Sequence, residues 1–541
     1  MPNTDVFNQF DMVVSVKQDA INHQLAALRA SGTIHPQLII VAEPGTPGNY
    51  DYVVLNPGDP IPPNCPYISG TITPSVAITA SGTFITFVLN FTAGTAMFWD
   101  LDGPPVLKSY DMTGWSYGVG VNMGLAQMAA ADIAAHKGIP QNVKDQLTNW
   151  TSADFSVQAL FMDFQSTDLM QYNPTLTNAG SAGDKGIDQL VIFMNQYLNQ
   201  LQKAGSPYFL GYSISATPSS SYPSGQVPAV LQPAGATYTM YADSVTPGDS
   251  NLNFLLVTKG GYGTVPTFGP TFGSNWFAPG EQCDGKMIVR SACLTEPLLL
   301  EPFYQSFSDA VWGQINGQVD VNPPNSYQAA KSATAAGFAY TISNQTDPDA
   351  DDQYGNTFSA NFGPNATIAL SGQVQVYKEV HRNMGFCTAK GWAWSNASWV
   401  GQLGLRLAGT NIVPTSVPST ANPQSGTGKN DCAKAWSIIG EILGGLLSIF
   451  TGFTALDFFM NLFGNLLGID VPNIGNISTA LLNFSSSVSG VVVLPAGDVF
   501  TFQSVELGAL GETSFEISYP KKPLKLYRAD AVEAERELVT A

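Results

Sequence analysis

The chain has 541 residues and a formal net charge of −19, and only 12% of its residues are charged against roughly 25% in an average soluble domain. That length exceeds what one hydrophobic core fills, so two or more folding units are expected, while the acidic balance repels phosphate backbones and excludes nucleic acid as a partner. Five scattered cysteines without a CxxC pair and four histidines remote from one another exclude a zinc, haem or redox motif, argue against a disulfide scaffold and imply no cofactor.

Residues Met1 to Phe10 have neither a basic stretch nor an apolar core, which predicts a cytoplasmic location or export without the usual signal peptide. Met12 to Val14 then reads as a short strand running into a helix. Ser15 and Gln18 have the spacing of a capping box, Val16, Ala20, Ile21, Leu25 and Leu28 recur near helical period, and Gly32 sits where the helix should stop. A turn-rich region from Glu43 to Pro66 precedes the alternating run Thr83 to Asn90.

The clearest strand is Trp115 to Leu125. Trp115, Tyr117, Val119, Val121, Met123 and Leu125 share one face, and Ser116, Gly118, Gly120, Asn122 and Gly124 share the other. Bulky apolar groups on one side and small groups on the other predict a strongly curved sheet with a filled or ligand-bearing side. A second strand spans Phe155 to Phe164. A long helix over Ile187 to Lys203 carries Ile187, Leu190, Val191, Met194, Leu198 and Leu201 on one stripe, and the strand Tyr208 to Ile214 follows.

Ala216 to Gly235, rich in Pro, Ser and Gly, reads as a connector. Met287 to Val289 opens a second strand-then-helix unit, its helix reaching Trp312 with distortion at Pro297 and Pro302. Ile368 to Val380 and Trp392 to Leu407 read as strands, Asn411 to Asp431 as a linker, Val491 to Tyr519 as strands, and the residues after Lys521 as a charged tail.

Three motifs invite chemistry and fall short of it. Gly114-Trp-Ser-Tyr-Gly118 matches the nucleophile elbow of hydrolases, but that elbow needs a strand, a sharp turn and then a helix, and here strand alternation covers the serine. Asp347, Asp349, Asp351 and Asp352 resemble the start of a calcium loop, yet its sixth position is Asp352 and its twelfth Phe358. Ser425-Gly-Thr-Gly-Lys429 lacks the first glycine of a phosphate loop, which is Pro423, and Asn430 stands where Ser or Thr is required. In segment 435–469 only Glu441 and Asp457 are charged, and the longest uncharged stretch, Ile442 to Leu456, is shorter than the roughly 20 residues of a membrane-spanning helix. It reads either as a helix pair buried in the second core, or as a segment whose Gly444, Gly445 and Gly452 allow close packing around a lipid or reversible exposure to membrane.

Several of these segments together resemble the TULIP superfamily of tubular lipid-binding proteins, especially the bacterial branch of accessory proteins in clostridial neurotoxin gene clusters. The resemblance rests on Asp11-Met-Val-Val-Ser-Val16 with its helix, Gln158-Ala-Leu-Phe-Met-Asp-Phe164, the Ile187 helix ending in Pro207-Tyr-Phe-Leu-Gly-Tyr-Ser213, Asp284-Gly-Lys-Met-Ile-Val289, the apolar segment, and Leu494-Pro-Ala-Gly-Asp-Val-Phe500. It implies an α+β fold of two TULIP-like modules, each a long helix wrapped by a highly curved antiparallel sheet with an apolar tube between them. The modules would span 1–215 and 281–541, with 216–280 as connector and shared strands. The implied function is non-catalytic binding of a lipid or fatty-acid-like ligand, with a membrane or a toxin complex as further partner. Trp115, Tyr117, Val119, Val121, Met123, Leu190, Met194 and Leu198 are the expected ligand-facing residues, and no catalytic or metal residue is expected. A structural protein with side-chain-filled cavities and, less favoured, a lipid esterase are the alternatives.

Overall fold

The computed structural model describes residues 7–128, 155–163, 172–204, 209–216, 233–265, 274–300, 328–345, 351–362, 367–434, 492–493 and 500–519, apart from short gaps within them, with scattered positions elsewhere. Segment 435–469, most of the connector, the end of the helix expected to reach Trp312 and the charged tail lie outside the described residues.

Three sheets and few helices make a sheet-rich α+β protein, and every strand pairing among the described residues is antiparallel. With strands numbered in chain order, the first sheet runs β10 (Pro233–Tyr241), β11 (Asn251–Thr258), β1 (Met12–Lys17), β12 (Gly285–Val289), β21 (Thr513–Ser518), β20 (Thr501–Leu507). The second is a meander of β13 (Gln328–Thr334), β14 (Gly337–Gln345), β15 (Asp352–Phe362), β16 (Thr367–Asn383), β17 (Thr388–Ala408) and β18 (Asn411–Lys429). The third runs β19 (Val492–Val493), β9 (Phe209–Ala216), β8 (Phe155–Asp163), β7 (Ser116–Met128), β5 (Phe84–Asp100), β4 (Tyr67–Ala77), β2 (Gln37–Pro44), β3 (Tyr50–Leu55), with β6 (Val106–Asp111) paired to the end of β5. Among the described residues the α-helices with stated bounds are α1 (Gln18–Ala30), α2 (Gly183–Ala204) and the single turn α3 (Asp431–Lys434).

The opening strand runs further than its apolar triplet suggests. β1 is paired on both sides as far as Lys17, so Ser15 stays in the strand opposite Asn253 and Lys286, and α1 starts only at Gln18. The expected capping box does not form. The Gln18 side chain instead accepts the Ile78 N–H at 2.6 Å. α1 closes as expected, with Gly32 at φ 80° and its N–H on the Arg29 carbonyl.

α1 also solves an edge problem. β2 pairs with β4 only over Tyr67–Thr71, which leaves the rest of β4 without a partner on that side. Asn22 takes both the N–H and the carbonyl of Val76, at 2.7 and 3.0 Å, and Arg29 Nε donates to the Ile72 carbonyl. Side chains of a helix thus stand in for the missing strand.

The expected linker Asn411 to Asp431 is a strand, β18, in register with β17 from Gly391 to Ala408. Its prolines 414, 418 and 423 have the look of a loop, yet Pro is tolerated on an edge strand, and β18 is the sheet's edge. The glycine-lysine motif lies within this ladder. Its base is tied by the one disulfide among the described residues, Cys387–Cys432, across 45 residues, whereas Cys65, Cys283 and Cys293 are free and buried.

A single apolar cluster, from Met12 to Tyr519, is shared by all three sheets. Asp11, fully buried, fixes the strand ends above it. Its Oδ2 accepts the N–H groups of Thr258 and Tyr262 at 2.8 and 2.9 Å, and its Oδ1 pairs with Arg290 Nη2 at 3.0 Å. Asp11→Ala strips those N–H groups of their acceptor and leaves Arg290 unpaired, so unfolding by urea should show a loss of about 3 kcal/mol or more. Asp11→Asn, which keeps an acceptor oxygen, should lose less.

Candidate functional site

The interior beneath α2 is built on the alternation of β7. Trp115, Tyr117, Val119, Val121 and Met123 all point inward and are buried, Trp115 from the turn just before the strand. Leu190, Met194 and Leu198 face them from α2 and are equally buried. The eight expected residues therefore join one apolar cluster. Tyr117 fastens helix to sheet, its hydroxyl donating to Asn195 Oδ1 at 3.2 Å, and burial pushes its phenol well above the usual range.

Residues that periodicity did not single out complete the site. Phe193 of α2 meets Tyr52 edge-on at 5.2 Å and Phe98 at 5.7 Å between ring centroids, and Phe98 meets Trp115 at 6.2 Å. These rings come from β3, β5, the turn before β7 and α2, so no local pattern joins them. Tyr238 of β10 donates its hydroxyl to the Met123 carbonyl at 2.6 Å, tying the first sheet to the third, and burial pushes its pKa up to about 12.

The small face of β7 is occupied as well. A Cβ on Gly118 would lie 2.8 Å from Leu176 Cβ, and one on Gly120 only 1.9 Å from the Phe84 ring. Residues 172–178 run along β7 beyond the end of β8, with Ser116 and Asn178 exchanging backbone hydrogen bonds at 2.9 Å. Gly118 makes room for this segment and Gly120 for the Phe84 ring.

Ser116 opens β7 after a turn, the reverse of the order a nucleophile elbow requires, and its hydroxyl donates to the Leu176 carbonyl at 3.0 Å. Two groups of side chains have metal-ligand character among the described residues, Glu281, Cys283 and Glu516, and Asp351, Glu379 and His381. In the first, the Lys286 ammonium is 2.7 Å from Glu281 Oε1, and burial pushes the Cys283 thiol up to about 11. In the second, Lys390 Nζ is 2.9 Å from Glu379 Oε1. In each group an ammonium already pairs with one of the carboxylates. Asp351 and Asp352 of the acidic run turn to different partners, His381 and Lys378, while Asp347 and Asp349 lie outside the described residues.

No family model and no curated protein matches the chain. Among solved structures, P47 of Clostridium botulinum E1 is similar with a TM-score of 0.50 and 9% identity, over 95% of this chain and 99% of that one. P47 from Clostridium botulinum A2 has a TM-score of 0.48 and 11% identity, over 95% and 98%. A lipopolysaccharide binding protein has 0.27 and 8%, over 95% and 99%. The likeness to the E1 protein concerns the fold alone. Among the described residues no helix is long and apolar enough to cross a membrane.

Val121→Asp would place a carboxylate among these side chains and should cost at least about 3 kcal/mol in urea unfolding. Ser116→Ala removes one hydrogen bond and should cost about 1 kcal/mol. Because Tyr117 and Tyr238 resist ionisation in the folded state, stability should be complete below their unfolded pKa near 10 and fall as pH rises above it.

Proposed function

We propose that this protein binds a lipid or another apolar ligand in elongated hydrophobic cavities and catalyses no reaction, acting as a lipid-transfer or toxin-accessory protein. The observation that carries the reading is the buried row of β7 that shares one apolar cluster with the stripe of α2, a long amphipathic helix fastened to that strand through Tyr117 and Asn195. The E1 P47 likeness in fold and the sequence resemblance to TULIP proteins support it. On this reading two modules, 1–215 and 281–541, share strands of the connector, and the protein works in the cytoplasm or after export without a signal peptide.

Apolar walls suffice for such a ligand. Each methylene buried contributes about 0.8 kcal/mol, so a chain of roughly 14 methylenes gains on the order of 10 kcal/mol before entropy costs, with no placed polar group required. The packing of Phe193 against Tyr52 and Phe98 favours one rival, a structural protein whose interior is filled by its own side chains.

Organic extraction of the purified protein followed by mass spectrometry separates the two. Stoichiometric lipid, together with uptake of an apolar fluorophore, is the expected result. Absence of both would leave the side-chain-filled reading. Short- and long-chain p-nitrophenyl esters should not be hydrolysed above background, and turnover lost on Ser116→Ala would make the protein an esterase.

A further inference from the structure

We infer that the outward face of β16, β17 and β18 binds neutral oligosaccharides, with the indoles of Trp392 and Trp394 as the stacking platform. Along β17, Ala393 and Trp399 are buried, so Trp392 and Trp394 alternate to the other face, where Trp394 is 36% exposed. Two large aromatic rings on the solvent side of a sheet do nothing for the core.

Their orientation is set by the neighbouring strand. Trp392 pairs with Gly428 and Trp394 with Gly426. A Cβ on Gly428 would lie 2.3 Å from Trp392 Cε2, and one on Gly426 2.8 Å from Trp394 Cε2. Each indole therefore lies against the backbone of β18, Trp394 exposed and Trp392 half-buried. The inward pair Gly372 and Trp399 has the same geometry, with a Cβ at 2.5 Å, but there the ring is only 1% exposed. The glycine pairing alone is thus structural, and the difference on the outer face is that the rings reach solvent, Trp394 more than Trp392.

The surroundings are those of a hydroxyl-rich ligand. On the opposite side of β17, Tyr377 pairs with Trp394 and Glu379 with Trp392, and in the next row Gln375 pairs with Asn396. Gln373 donates to Asn396 Oδ1 at 2.8 Å, and Gln375 is exposed. A sugar presents a C–H face with partial positive charge, which matches the negative face of an indole, and a rim of hydroxyls that amides can serve as donors and acceptors. Successive outward positions are about 7 Å apart along a strand, so one oligosaccharide can cover both rings.

A bilayer fits less well, because rings held against the backbone of β18 cannot project into it. The inference does not depend on lipid cargo in the interior.

The full-length protein should be applied to an array of neutral and acidic oligosaccharides, and any hit titrated by calorimetry against variants. Binding to neutral glycans is expected, weakened at least about tenfold by the Trp392→Ala, Trp394→Ala double substitution and unchanged by Val245→Ala, an exposed position outside this sheet. If circular dichroism shows the double variant unfolded, Trp394→Phe and Gln375→Ala decide, with a loss of about threefold or more expected from each. No binding to any neutral glycan, equal binding by the folded variants, or binding only to anionic vesicles or proline-rich peptides would overturn the assignment.

Discussion

Everything in the first sheet depends on β1 being its centre. Six residues near the start of the chain, all buried, hydrogen-bond to β11 on one side and β12 on the other, and β12 in turn carries β21 from the far end. The pairing Met12 with Leu256 and Met12 with Val289 closes loops of hundreds of residues, so it is favourable only once those segments have found one another. Asp11 and Lys17 mark its two ends with charges that are buried and answered, Lys17 by Asp249 at 2.7 Å and by the ring of Phe277.

The meander works by the opposite logic. Each strand from β13 to β18 pairs with the next in sequence, so its register is established locally by short turns. Its strands are long, up to 21 residues, and tryptophan over glycine recurs on both faces. Removing a Cβ lets a large ring lie against a neighbouring backbone, which recovers contact the glycine itself cannot supply.

Between these two sheets in character stands the third, where the α2 interior lies. Its strands are extended at their unpaired stretches by other kinds of partner: side chains of α1 on β4, and residues 172–178 on β7. Both devices keep backbone groups satisfied where the sheet bends away from its next strand. They also explain why the helix and the glycine-rich face are where they are.

Local alternation and helical period were enough to place β7, α1, α2 and the inward direction of Trp115, Tyr117 and Val121, because side-chain direction in a strand or helix follows from sequence spacing. Residue identities alone, Pro423 and Asn430, sufficed to set aside the phosphate loop, and the apolar run Met12 to Val14 to read a strand opening. What they could not supply was pairing. The proline-bearing β18 looks like a linker until its place at a sheet edge is known, Ser15 looks like a helix cap until β11 and β12 hold it in a strand, and Cys387 finds Cys432 only through the hairpin between them. The aromatic cluster under α2 and the exposed tryptophans over glycine are likewise products of register, since the residues that meet are separated in sequence by distances no periodicity encodes. Direction is local physics, whereas the choice of partner is decided by the packed chain as a whole.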